Sequence, residues 1–402
     1  MSRKLLDLQR PRPTGGSVIS FHAGVDLATQ HSILSNLAGS DVASYVPQAG
    51  HFPDEAQQMG ALILEHVNIG FLSENLGLSE NSNIRSKLKD DERVRSVRPE
   101  FYYFAFETFE DDDEKTWGVD AVGAWTSALT GAGVKLAVLD TGFDLQHPDF
   151  TGRNIVSESF VRGETVQDGQ GHGTHCAGTA AGGLTSDGSF RYGVAPEADL
   201  YIGKVLGNNG TGRERDILTG MAWAIEQNCD IISMSLGAPV REGETFIPEY
   251  EDLAQIALQN GCLIIAAAGN DSARSYGYIA PVGSPANAPS IMAVAALDPT
   301  LAVADFSSGG INSNGGEINI AGPGVGVFSA SPAPQLYRTL SGTSMACPHV
   351  AGIAALWAET DPNLRGQALW DALVQNTRPL QDAERDIGAG LVFVPGVADA
   401  IA

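Results

Sequence analysis

The chain has 402 residues, with 48 acidic against 24 basic side chains and a net charge of −24. Hydrophobic residues make up 43% and charged residues 18%, a globular balance that excludes an intrinsically disordered chain. So acidic a surface argues against nucleic acid or an anionic membrane as partner.

The apolar runs CLIIAAA (262–268) and VAGIAALWA (350–358) are too short to span a bilayer. The start MSRKLLDLQRPRPTGG lacks a continuous apolar stretch of the kind a secretory signal needs. The expectation is therefore a cytoplasmic protein, or a secreted one whose export segment has been removed. Four cysteines in this length form no disulfide framework.

In chain order, residues 1–16 read as a flexible lead. A small α+β unit over 17–106 follows. SVISF (17–21) reads as a strand and DLATQHSILSNLAG (26–39) as a helix stopped by glycine. ALILEHVNIGFL (61–72) reads as a further strand, SENSNIRSKLKDD (79–91) as a capped helix, and RVRSVRPEFYYFAF (93–106) as extended chain. The acidic run within 107–116 reads as a solvated linker. From 117 to 402 short apolar segments alternate with helical ones: 133–140, 198–206, 229–236, 262–269 and 290–297 as strands, 214–228 and 251–261 as helices. Strands buried on both faces and joined by crossover helices predict an α/β fold with a doubly wound, mostly parallel sheet.

Such sheets collect reactive groups at the carboxyl ends of their strands. Asp140 ends GVKLAVLD there, His172 opens GHGTHCAGTAAG, Asn270 ends AAAGN, and Ser344 opens the helical run in GTSMACPHVAG. A serine hydroxyl attacks a carbonyl only when a base takes its proton. His172 is the candidate base and Asp140 the group that orients its imidazole. Asn270 and the Ser344 amide are candidate donors to the developing oxyanion.

On VLDTGFDLQHPDF, GHGTHCAGT, SMSLG, AAAGN and GTSMACPHVAG, in that order, the sequence resembles the subtilisin-like serine proteases, the subtilases. The resemblance runs from about Trp117 to the end. It implies a serine endopeptidase acting through an acyl-enzyme, with Asp140, His172 and Ser344 as triad and Asn270 as oxyanion donor. It implies extended polypeptides as substrates, held between Gly210, Thr211 and Gly212 on one side and Ser235, Leu236 and Gly237 on the other. Ala268, Gly269 and Gly283 would bind substrate, Gly283 at the floor of a first specificity pocket that would favour an aromatic or large apolar residue, with Asp271 at its rim as the alternative preference for a basic one. The 17–106 unit resembles the family's propeptide, which implies a self-processing zymogen, cut within 104–113, whose N-terminal unit acts as intramolecular inhibitor. A dedicated intracellular processing protease of narrow range is the alternative. A monomer without catalytic metal or organic cofactor is expected.

The family's calcium site, aligned on WGV, HPDF and YGVAP, falls on Asp113, Asp149 and Asp187, so a structural Ca²⁺ is an implied cofactor. Several plainer readings compete with these. His172 and His175 stand one helical turn apart, as a metal pair would. His175 and His349 also read as buried structural groups, and Ser344 as an ordinary helix cap. Cys176 and Cys347, and likewise Cys229 and Cys262, read as buried thiols, with a bond next to the triad left open.

Overall fold

The computed structural model describes residues 13–38, 42–45, 60–72, 87–105, 109–110, 117–186, 188 and 190–396. The N-terminal unit comprises β1 (Pro13–Phe21), α1 (Leu27–Ala38), β2 (Val42–Tyr45), β3 (Ala61–Leu64), β4 (Ile69–Leu72) and β5 (Val94–Ala105). Asp26 caps α1 by accepting the Thr29 amide at 2.8 Å. The single strand expected over 61–72 is a hairpin. Asn68 takes a positive φ of 55°, which Asn tolerates better than most residues, and turns the chain back. The strand expected at 17–21 starts earlier, at Pro13, and pairs with β5. Of the helix expected over 79–91, residues 87–89 are helical and 79–86 lie outside the described residues.

Strands β3 (ALIL) and β4 (IGFL) read as apolar runs because both faces of their sheet are covered. Ile19, Phe21, Ile63 and Leu72 turn to a small core with Ile33 and Leu34 of α1. Their alternates Val18, Leu62, Leu64, Ile69 and Phe71 join the main core of the chain.

The larger unit is built on a seven-stranded sheet. Its strands are β7 (Lys135–Asp140), β8 (Val156–Ser159), β9 (Asp199–Lys204), β11 (Ile231–Met234), β13 (Leu263–Ala267), β14 (Met292–Leu297) and β15 (Ile320–Pro323). The order is β15-β14-β13-β11-β7-β9-β8 and every pairing is parallel. All five strands expected in this region are present. A helix over His172–Ala181, another over Glu214–Glu226, a third over Pro248–Gln259 and the eighteen-residue Thr343–Thr360 connect or cover them.

Two further strands, β10 (Thr211–Arg213) and β12 (Leu236–Gly237), stand as edges beside β5. Both pair antiparallel with it: Thr211 opposite Phe104, Gly212 opposite Tyr103, and Leu236 opposite Ala105. Immediately downstream, β6 (Phe109–Glu110) pairs with β17 (Tyr337–Ser341), which also pairs with β16 (Val327–Ala330). Part of the expected solvated linker is thus strand; residues 111–116 lie outside the described residues.

Ion pairs close the seam between the units. The Arg98 guanidinium contacts Glu214, the first residue of its helix, and donates to Glu249 at 2.6 Å. Glu249 also accepts from Ser96 at 2.8 Å and from the Ser20 hydroxyl, and Arg95 pairs with Asp252. Burial pushes the Glu214 carboxyl up, against the pull of Arg98. At Glu249 burial acts in the same sense, but Arg98 with the two serines overcomes it and the carboxyl ends below its ordinary value. Both carboxylates lie in the first turns of their helices, where the backbone dipole favours negative charge. Among the described residues no helix is long and apolar enough to cross a membrane.

Candidate active site

Asp140 is the last residue of β7, at the carboxyl edge of the sheet. Its Oδ1 lies 2.8 Å from His172 Nδ1 and also accepts the Thr141 amide at 2.7 Å. His172 opens its helix, and both residues are about 1% exposed. The glycines around it permit close approach: a Cβ on Gly173 would stand 2.2 Å from the Gly142 carbonyl oxygen.

Ser344 is the second residue of its helix, after Thr343, and its side chain makes no capping bond. The ordinary-cap reading is therefore wrong. Pro348 lies four residues on and has no N–H to give the Ser344 carbonyl. That carbonyl instead accepts from Ser235 Oγ at 2.8 Å and from Cys176 Sγ at 3.4 Å. The Cys176 sulfur is also 3.8 Å from His172 Nδ1, so the imidazole and the serine backbone flank one atom.

The serine hydroxyl donates to the Ser235 carbonyl at 3.4 Å, and His172 Nε2 is buried without a hydrogen-bond partner among the described residues. Only the first of the two expected links, carboxylate to imidazole, is formed. The second requires another Ser344 rotamer, in keeping with the loose catalytic hydrogen bonds of ligand-free sites.

Asn270 follows Gly269, whose φ of 116° suits only glycine. Its Oδ1 accepts both the Thr343 amide at 2.8 Å and the Thr343 hydroxyl at 2.9 Å. The carbonyl end of this amide is thereby fixed, and with it the direction in which the NH₂ end points. Gly283 donates to the Ala268 carbonyl at 2.8 Å, and Ser284 pairs with Ala238 next to Gly237. Ala268, Gly269 and Gly283 thus meet, tied to the Leu236–Gly237 edge. The Gly210–Gly212 edge stands across β5 from it.

The metal expectations meet other partners. His175 Nε2 donates to the carbonyls of Val327 at 3.0 Å and Arg338 at 3.2 Å, so it forms no metal pair with His172. Burial pulls its imidazole well below the usual value, and that of His349 down to about 4; both are neutral structural groups. Among the described residues one possible ligand group forms, Asp140, His172 and Cys176. Burial pushes the Cys176 thiol well up and keeps it protonated, unlike a metal-binding thiolate. All four cysteines are free and buried.

Asp113 and Asp187 lie outside the described residues. The Asp149 side chain is buried, and its two oxygens accept hydrogen bonds from the phenols of Tyr192 at 2.6 Å and Tyr337 at 2.8 Å. Burial, and then the carboxylate itself, raises the Tyr192 phenol, so it stays a donor. A calcium ion at Asp149 would have to share these oxygens with the two phenols or displace them. The expected outcome is that excess chelator or excess calcium shifts the Tm of the full-length Ser344→Ala chain by less than about 2 °C. A strongly bound ion, at a hundred times its Kd, would instead supply about 2.7 kcal/mol and a clear shift in a calorimetric scan.

Three contributors escaped the sequence reading. Asp168 accepts the Gln170, Gly171 and Thr174 amides and the Thr141 and Thr174 hydroxyls, fixing the start of the His172 helix. It stands three residues before the N-cap Gly171 and reaches the Thr174 amide from there, so no ordinary cap signal in the sequence marks it. Thr343 anchors Asn270, and Lys204 lies wholly buried beside Asp140; neither has a sequence signal of its own.

A buried carboxylate–imidazole pair at the carboxyl edge of a parallel sheet, beside a helix-borne serine and an anchored amide, defines a serine-hydrolase type of site. Residues 131–390 match the subtilase family. Subtilisin E of Bacillus subtilis (strain 168) is 40% identical over 282 residues, covering 70% of this chain and 69% of that protein. The major intracellular serine protease of the same strain is 35% identical over 306 residues, 73% of this chain and 92% of its own. The solved structure of Sphericase superimposes with a TM-score of 0.60 at 34% identity, covering 69% of this chain and 97% of that one. The chain belongs to the subtilase family and is a serine endopeptidase.

Proposed function

We propose that this chain is a self-processing zymogen whose peptidase chemistry runs through Asp140, His172 and Ser344. In this reading His172 Nε2 takes the Ser344 Oγ proton as the oxygen attacks the scissile carbonyl carbon. Asp140 stabilises the imidazolium that results. Asn270 and the Ser344 amide donate to the oxyanion. The imidazolium then protonates the departing amine, leaving an acyl-enzyme that water cleaves by the same steps in reverse.

The observation that carries the zymogen reading is the placement of β5. It pairs with both edges expected to hold substrate, so the N-terminal unit fills the cleft as a peptide would. The chain meets Leu236 at Ala105 and is next paired at Phe109 with Ser341, three residues before Ser344. The bond cut in maturation is therefore assigned between 105 and 109.

N-terminal sequencing of the purified wild-type protein tests this. The mature enzyme is expected to begin within 106–109. A first cut elsewhere, or an active enzyme that stays at full length, would refute self-processing at this position.

A further inference from the structure

Lys204 is a fully buried cation that the acyl-transfer scheme leaves without a role. It ends β9 directly opposite Asp140 in the parallel register. Its ammonium donates to the Thr141 carbonyl and to Asn208 Oδ1 at 2.9 Å, and pairs with Glu164 at 3.3 Å. Each contact leads to a different segment of the site. Thr141 gives its amide to Asp140 and its hydroxyl to Asp168, and accepts the Gly173 amide. Asn208 accepts the Gly169 amide at 2.9 Å and gives its own amide to Glu164 at 2.9 Å, on the loop entering the Thr211–Arg213 edge. The turn after the carboxylate, the loop before the imidazole and the substrate edge thus share one ammonium group.

We propose that Lys204 is a positioning residue for the Asp140–His172 pair, and that its charge, balanced by Glu164, sets the pH range over which that pair accepts a proton. Placing a long cationic side chain in a dry site is costly and is tolerated only with full pairing. Aliphatic packing would have served a merely structural purpose without that cost. The charged and titratable groups around His172 are Asp140, His175, Cys176, Lys204, Asp168, Glu164 and, beside Gly171, the guanidinium of Arg338. Of these, Lys204 and Glu164 form a cation–anion pair outside the reacting groups, so the two can be changed in opposite senses.

The inference rests on the proposed role of His172 as base. The test is the pH profile of kcat/KM for a chromogenic peptide, with active sites counted by fluorophosphonate titration, for the full-length gene product of wild type, Lys204→Met and Glu164→Gln. Lys204→Met is expected to lower kcat by about ten- to a hundredfold with a smaller change in KM. Its acid limb should move to higher pH by roughly half a unit, the worth of one charge in a partly wet site. Glu164→Gln, partly exposed, should move the limb the other way and by less. Shifts in the same direction, or profiles that coincide with wild type, overturn the proposal. If Lys204→Met yields no titratable sites, Glu164→Gln decides alone: an unmoved limb is a refutation. A wild type that no fluorophosphonate labels would instead overturn the catalytic reading beneath.

Discussion

Ser344→Ala is expected to lower peptide hydrolysis by about a millionfold, the loss known for removal of the nucleophile from a subtilisin and carried over here on family membership. Its second effect is specific to this chain. With no nucleophile the leader stays attached, so the purified protein should remain a single 42.1 kDa species while wild type shortens. The two readouts are independent, since one uses an added peptide and the other a bond in the protein itself. Gel mobility and intact mass, beside a casein or chromogenic assay, measure both. Hydrolysis surviving in the variant at more than a trace would remove Ser344 from the mechanism.

Arg98→Ala, made in the Ser344→Ala background, is expected to loosen the N-terminal unit by about 3–5 kcal/mol. This is the cost of leaving buried carboxylates without their cation. Arg98 is 15% exposed in its side chain and serves two carboxylates that are wholly buried, so water repairs little of the loss. Amide hydrogen exchange along β1 and β4 should accelerate by about two to four powers of ten. The parallel sheet at Leu263–Ala267 and Met292–Leu297, remote from the seam in sheet order, should keep its protection. Unchanged exchange in β1 would mean that apolar contacts such as Val18 and Phe71 against the main core hold the unit by themselves.

How far the sequence foretold this molecule depends on whether a feature was local. GVKLAVLD, CDIISMSL, CLIIAAAG and SIMAVAAL are short, mostly apolar and bounded by Gly, Asn or Asp, so the central strands were legible without any periodicity. The same lack of periodicity hid the hairpin in 61–72. With both faces buried there is no alternation to break, and only Asn68 marks the reversal. The short strand at Val42–Tyr45 was missed because its support is its pairing with β3, not its composition.

The site divided the same way. Asp140, His172, Asn270 and Ser344 sit in sharp motifs and were found. Lys204 was passed over because an isolated lysine in YIGKVLG looks like a surface residue until the fold buries it. Asp149 was read from its motif as a ligand, but Tyr192 and Tyr337 come from segments 43 and 188 residues away, and no local pattern announces that pairing. The open link between His172 and Ser344 is a rotamer choice, which no sequence encodes.

The most direct single measurement is mass-spectrometric mapping of a fluorophosphonate adduct on the active wild-type protein. The expected result is one phosphonyl group per active molecule, on the peptide containing Ser344, and none on the same peptide after His172→Ala at equal exposure. Labelling at a different residue, or full peptidase activity with Ser344 unmodified, would show that a hydroxyl activated by Asp140 and His172 is not what cuts the chain.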